Sequence, residues 1–226
     1  MRALIFSVLS ISLAQAGAAE VAIPVDTYVV ELDEQVAGLD RAAYANDWWQ
    51  WAVAAPQSLN PITDMTGDYC GVNQMGPVWY LAGGLGTSLI KRSCTVPKDQ
   101  YIFFPVINML AYPPRGTEPN CEDMKSAAAQ NNIKKVYLRV SLDGSELQNA
   151  ERFRVASSEC FNLTRRSSAE NTPPISPSAT DGYWIMLRPL PPGKHMLEFQ
   201  ASYSNLDSWF GTMSQDISYT LTVLDE

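Results

Sequence analysis

One histidine, His195, is all that 226 residues contain, and no partner stands at metal-ligand spacing from it. A site built from several imidazoles is therefore excluded, and any Ser-His-acid triad would have to use that single ring. The sequence also lacks a Gly-x-Ser-x-Gly elbow, a Cys-x-x-Cys pair and a run of eighteen apolar residues. The esterase turn, the zinc knuckle and the membrane-spanning helix thus leave no signature. Positive charge is scarce as well, with 16 Lys and Arg against 24 Asp and Glu and a net charge of -8. Nucleic acids and anionic membranes need clustered cations, and Lys134-Lys135 and Arg165-Arg166 lie on separate segments that read as solvated faces. Gly83-Gly84 and Gly86 open no helix, and Lys91 is the wrong distance on, so that loop is no phosphate cradle.

What the chain does carry begins with Arg2, an apolar stretch from Ala3 to Leu13, and small residues at Ala14, Ala16, Ala18 and Ala19. This is the pattern of an export leader, residues 1–19, cut after Ala16, Ala18 or Ala19. About a dozen apolar residues cannot cross a bilayer of ~30 Å as a helix, so cleavage is expected and anchoring is not. Removal of Arg2 with the leader would leave 15 basic against 24 acidic side chains. The expected product, residues 20–226, is a secreted or periplasmic protein folded as one domain.

Cys70, Cys94, Cys121 and Cys160 all follow the leader, and an even number of cysteines in an exported chain reads as disulfides. Of three connectivities, Cys70–Cys94 with Cys121–Cys160 is preferred because each staples a local loop, stabilising by roughly 3 to 4 kcal/mol. Cysteines so paired leave no thiol nucleophile, and neither a metal nor another cofactor is expected.

Leu39 to Ala55 is the strongest helix signal, with Tyr44, Trp48, Trp51 and Ala55 on one face and Trp49 beside it. Pro56 ends that helix, and Asn60-Pro61 through Asp68 forms a turn-rich loop. Pro77–Ala82 and Thr87–Thr95 are expected to form a hairpin across the glycines, followed by an apolar strand from Tyr101 to Ile107. Glu122 to Gln130 suits a short helix or a loop held by Cys121. Further on, Val136, Leu138, Val140 and Leu142 alternate with polar residues before the Asp143-Gly144 turn. Tyr183–Arg188, Lys194–Ser202 and Tyr219–Leu224 repeat that period, while Ser167–Thr180 is a Ser/Thr/Pro-rich surface loop. The expected class is mainly β: an antiparallel sandwich, immunoglobulin-like or jelly-roll-like, with one N-terminal helix packed on it.

The segment from Leu190 to Leu224 resembles the closing hairpin of bacterial immunoglobulin-like domains. A wider resemblance rests on Trp48-Trp49-Gln50-Trp51, on Gly76-Pro77-Val78-Trp79-Tyr80-Leu81-Ala82-Gly83, on Arg92-Ser93-Cys94-Thr95-Val96-Pro97, and on Phe104-Pro105-Val106-Ile107-Asn108. With Asp181-Gly182-Tyr183-Trp184 and Pro192-Gly193-Lys194-His195, these are similar to an uncharacterised family of exported bacterial proteins. The resemblance implies bacterial origin and export, and brings no activity, substrate or catalytic residue with it.

Three functional classes remain. The favoured one is a non-catalytic module for an extracellular or envelope ligand, with carbohydrate among the candidates, since exposed aromatic rings stack on sugar faces. Trp49, off the helix stripe, and Trp209, between the last two strands, are its candidate contacts, with Asp64 and Asn108 as polar members. The second is a glycoside hydrolase or lyase using carboxylates from Asp47, Asp64 and Asp68, although acids in turns more often bond backbone amides. The third is a structural or protein-interaction component of the envelope that uses a sheet edge. His195 shares a strand face with Leu197 and Phe199, which favours a satisfied core histidine over a general base.

Overall fold

The computed structural model describes residues 23–85, 89–132, 136–167, 172–205 and 211–225; the expected leader and Trp209 lie outside them. Two sheets pack face to face. The first has the order β1 (Val78–Tyr80), β3 (Tyr101–Ala111), β7 (Ala179–Leu187), β6 (Arg154–Ala156). In the second the order is β2 (Leu89–Val96), β9 (Gly211–Val223), β8 (Gly193–Asn205), β4 (Tyr137–Leu142), β5 (Ser145–Glu146). Period-two alternation turns Ile90, Cys94 and Val96 of β2 inward with Leu197 and Phe199 of β8 and Ile217 and Tyr219 of β9. There Phe104 stacks on Phe199 with centroids 4.8 Å apart, and Phe199 on Tyr219 at 6.3 Å.

The expected sandwich is present, with the helix on it. Helix α1 (Arg41–Ala54) starts where the Asp40 side chain accepts from the Ala43 N–H, and it covers the outer face of the first sheet. Tyr44, Trp48 and Trp51 meet Tyr80, Phe103, Trp184 and Met186 there, and Phe103 lies parallel to Trp184 at 5.4 Å. Burial of each such ring stabilises by about 1.5–3 kcal/mol. Strand β7 is thus a middle layer, buried along its whole length, with Ile185 and Leu187 facing the sandwich and Trp184 and Met186 the helix. Arg41 ties the preceding segment down, its guanidinium donating to the carbonyls of Trp184, Val30 and Glu31. Burial lowers its pKa to about 10, which leaves it charged at neutral pH.

Helix α2 (Cys121–Ala129) resolves the helix-or-loop alternative at Glu122–Gln130; a reciprocal cap between Asn120 and Asp123 starts it. Cys70 bonds Cys94, and Cys121 bonds Cys160. His195 donates or accepts at both ring nitrogens, Nδ1 to Asp143 Oδ2 at 2.7 Å and Nε2 to the Pro191 carbonyl at 2.8 Å. The Asp143-Gly144 turn has φ of 52° and 80°, as a two-residue hairpin connection requires. Of the Ser167–Thr180 loop, residues 168–171 are outside the described set and Ala179–Thr180 already belong to β7.

Two expectations are corrected. The hairpin across Gly83-Gly84 does not form: β1 runs parallel to β3 in one sheet, and β2 parallel to β9 in the other. Both sheets are consequently mixed, not purely antiparallel. The cause lies in the crossing chain, whose Ala82 and Gly83 carbonyls accept from Arg92 Nη1 at 2.7 and 3.0 Å, while the Gly84 N–H donates to Gln215 Oε1 at 2.8 Å. A Cβ on Gly83 would collide with the Gln215 amide, and one on Gly84 would come within 2.6 Å of Ile90 Cδ1. The glycines serve a close passage between sheets, which period-two reading cannot tell from a turn.

Candidate functional site

Among the described residues, the same departure of the chain leaves one edge of the first sheet without a strand partner. Strand β1 pairs with β3 only from Tyr101 to Phe103, and the last bond runs from the Leu81 N–H to the Phe103 carbonyl at 2.9 Å. From Phe104 to Ala111, β3 pairs with β7 on one side and, among the described residues, with no strand on the other. Pro105 is the second residue of that stretch; having no N–H, it suits an edge that offers no acceptor. A register shift between Pro105 and Ile107 then resets the alternation. Thr180, opposite Leu110, donates its N–H to Ser157 Oγ and accepts at its carbonyl from the Ser157 N–H, both at 2.8 Å. Its neighbour on β3 is thereby left to face the other way: the N–H and C=O of Leu110, and by alternation those of Asn108, point to the open edge.

A cleft of about 330 Å³ lies along this edge. Trp48 and Trp49 line it from the helix layer, Pro105, Asn108 and Leu110 from β3 with Tyr112 just beyond its end, and Tyr203, Met213 and Gln215 from the sandwich side. Leu85 and Tyr112 at its rim are 72% and 53% exposed, so apolar surface continues outward. Trp49 and Asn108, proposed from sequence as ligand contacts, therefore meet in one place. Trp49 stands edge-on to Trp48 at 5.0 Å, and its Nε1 donates to Thr180 Oγ1 at 2.9 Å. Asn108 Nδ2 is shut off from solvent without a protein partner. Gly182 makes room for it, since a Cβ there would lie 2.5 Å from that of Asn108. Tyr203 and Met213 also line a larger, more polar cleft of about 830 Å³ with Tyr137, Glu151 and Tyr183.

Asp64 is not part of the cleft. Its Oδ1 accepts from the N–H and hydroxyl of Thr66, both at 2.8 Å, and its Oδ2 from the Tyr69 N–H at 2.9 Å. Burial raises the carboxyl pKa, but these donors outweigh it and hold the group below the usual carboxylate range. Asp47 is engaged too, accepting from Tyr80 Oη at 2.7 Å and pairing with Arg165 and Arg166. Burial first, and then the Asp47 charge, push the Tyr80 phenol far above its ordinary value. Asp68 is exposed, and none of the three acids lines either cleft. Among the described residues no group of three or more His, Cys, Asp or Glu could hold a metal, and no helix is long and apolar enough to cross a membrane.

Sequence reasoning missed Leu85, Leu110, Tyr112, Tyr203 and Gln215 as cleft residues. A signal for the edge did exist: Pro105 sits inside the apolar run from Tyr101 to Ile107, and proline in a strand marks an unpaired side. No family model matches the sequence, and no curated protein is significantly similar to it.

Proposed function

We propose that this is an exported, disulfide-stabilised, non-catalytic module that binds an extracellular or cell-envelope ligand in the cleft beside Trp49 and Asn108. The observation that carries this reading is the Asn108 amide, a donor without a partner against a cleft with apolar walls. Leaving such a group unpaired costs about 1–3 kcal/mol, which a ligand acceptor recovers once the amide turns toward it. Export is supported by the leader pattern and by two disulfides, which belong to oxidising compartments. Both site residues fall within the signatures on which the resemblance to exported bacterial proteins rests. A carboxylate hydrolase has less behind it, because Asp47 and Asp64 are occupied by their own chain.

The test uses the oxidised protein with insoluble polysaccharides, peptidoglycan and octanamide, an apolar chain ending in one acceptor. Retention on a solid, or binding of octanamide, without release of soluble fragments and weakened by Trp49→Phe and Asn108→Ala, is the expected result. Fragment release lost in Asp47→Asn or Asp64→Asn would overturn the non-catalytic reading. Binding indifferent to Trp49 and Asn108 would remove the ligand from this cleft.

A further inference from the structure

Resting on that reading, the geometry points to a particular occupant, and we propose that it is an extended polypeptide segment of another protein, added as a strand to the open edge of β3. The first argument is the backbone. Asn108 and Leu110 present N–H and C=O groups along one line, two residues apart, where β1 would lie had the chain not turned away at Leu81. A second strand meets this repeat of donors and acceptors group for group, whereas a sugar ring or acyl chain does not.

The second argument is the shape of the cleft. Its two walls belong to different layers, Trp49 on the helix side and Tyr203 and Met213 on the sandwich side. An extended chain sends successive side chains to opposite faces, so alternate residues would enter each wall. About three residues, ~10 Å of strand, cover the open positions. The Asn108 side-chain amide, which lacks a protein partner, would add a donor for a carbonyl of that segment once it rotates toward it.

The third argument is the lack of the usual defences. Edge strands are normally blunted by lysine, proline or a bulge; here Pro105 and the register shift guard only the beginning, and Asn108-Met109-Leu110 carries neither charge nor proline. With a net charge of -8 on the chain, the fitting segment alternates apolar and small polar residues and is neutral or basic.

The experiment titrates the oxidised protein with seven-residue peptides, Lys-Thr-Xaa-Thr-Xaa-Thr-Lys, in which Xaa is Val, Leu, Ile, Phe or Tyr. Each has two twins, N-methylated on one or the other alternate set of residues. At least one parent peptide is expected to bind, to slow amide exchange at Asn108 and Leu110 at least tenfold, and to lose at least tenfold in affinity in one twin only. Leu110→Pro, which removes an edge N–H outside the β7 ladder, is expected to lose the same binding; the twins decide the matter if that variant fails to fold. Equal binding by both twins, unchanged exchange at Asn108 and Leu110, or no binding by any peptide overturns the strand. Concentration-dependent dimerisation abolished by Leu110→Pro would instead make the occupant a second copy of this chain. Octanamide binding that depends on Trp49 and Asn108, with no peptide bound, leaves the cleft as a ligand seat and removes only the strand; failure of octanamide, polysaccharides and peptides together removes both.

Discussion

Asp64 and Asn108 are both polar side chains set beside apolar surroundings, and they meet opposite fates. Asp64 accepts from Thr66 twice and from Tyr69, so that both carboxylate oxygens are satisfied within five residues of chain. Asn108 sits in a strand, where the backbone is extended and no neighbouring loop can fold back onto it, and its amide nitrogen stays unpaired. Local saturation marks a group that holds a loop. An unpaired group in a cleft marks one that can still hold something else.

The two regions share a hinge in Arg92, whose guanidinium donates to the Ile62 and Asp64 carbonyls on the loop side and to Ala82, Gly83 and Tyr219 Oη on the cleft side. Arg92→Met strands these acceptors in the interior, at about 1–3 kcal/mol for each buried group left unpaired, and is expected to give the largest loss of stability in chemical denaturation here. It should also weaken ligand binding, because the crossing chain at Ala82–Gly84 defines the open edge. An unchanged midpoint would break the link between the two regions.

Removing the Cys70–Cys94 bridge by double substitution to serine is expected to cost about 3 kcal/mol in the loop-entropy picture. Unlike Arg92→Met, it should leave Asn108-dependent binding intact at temperatures where the protein stays folded. Loss of binding in the folded state would mean that the cleft leans on the loop more than its contacts indicate.

Asp64→Asn is expected to cost about 2 kcal/mol at pH 7, the range of hydrogen bonds to a charged group. Because the folded carboxyl lies below its unfolded value, its contribution is full above the unfolded pKa of ~4 and fades as pH falls through the folded one. Wild type and variant should therefore converge in stability on acidification below pH ~4. A gap that stays constant down to strong acid would show that the charge is not what matters.

Asn108→Ala is the smallest change in the free protein, expected within about 1 kcal/mol of wild type, since it deletes a donor that has no partner. The same substitution should have the larger effect on binding. A destabilisation as large as that of Asp64→Asn would erase the contrast and assign Asn108 to the fold.

Much of this was legible beforehand because the signals are local. The Tyr44-Trp48-Trp51 stripe placed α1, alternation at Val140 and Leu142 placed β4, and Asp143-Gly144 turned the chain as its residue types require. Trp49 could be nominated because it falls beside the stripe, and the bland reading of Asp64 as a turn-capping group could be foreseen from Thr66-Gly67. Pairing across Gly83-Gly84 was not legible, for a turn and a crossing between sheets have the same local composition.

The sequence by itself determined a mainly β chain with one N-terminal helix and an acidic net charge, since periodicity and composition are read within a few residues; which of three cysteine pairings forms was settled by the fold. Only the tertiary structure decided that β1 and β2 part into different sheets, that Trp49 and Asn108 converge, and that β3 keeps an open edge between them. Those outcomes depend on Arg92, Tyr219 and Gln215 reaching from one sheet to capture the chain leaving the other. The Tyr219 and Gln215 contacts join residues 137 and 131 positions apart, and Arg92 reaches Ala82 ten positions back across the crossing chain; none of them leaves a period to read.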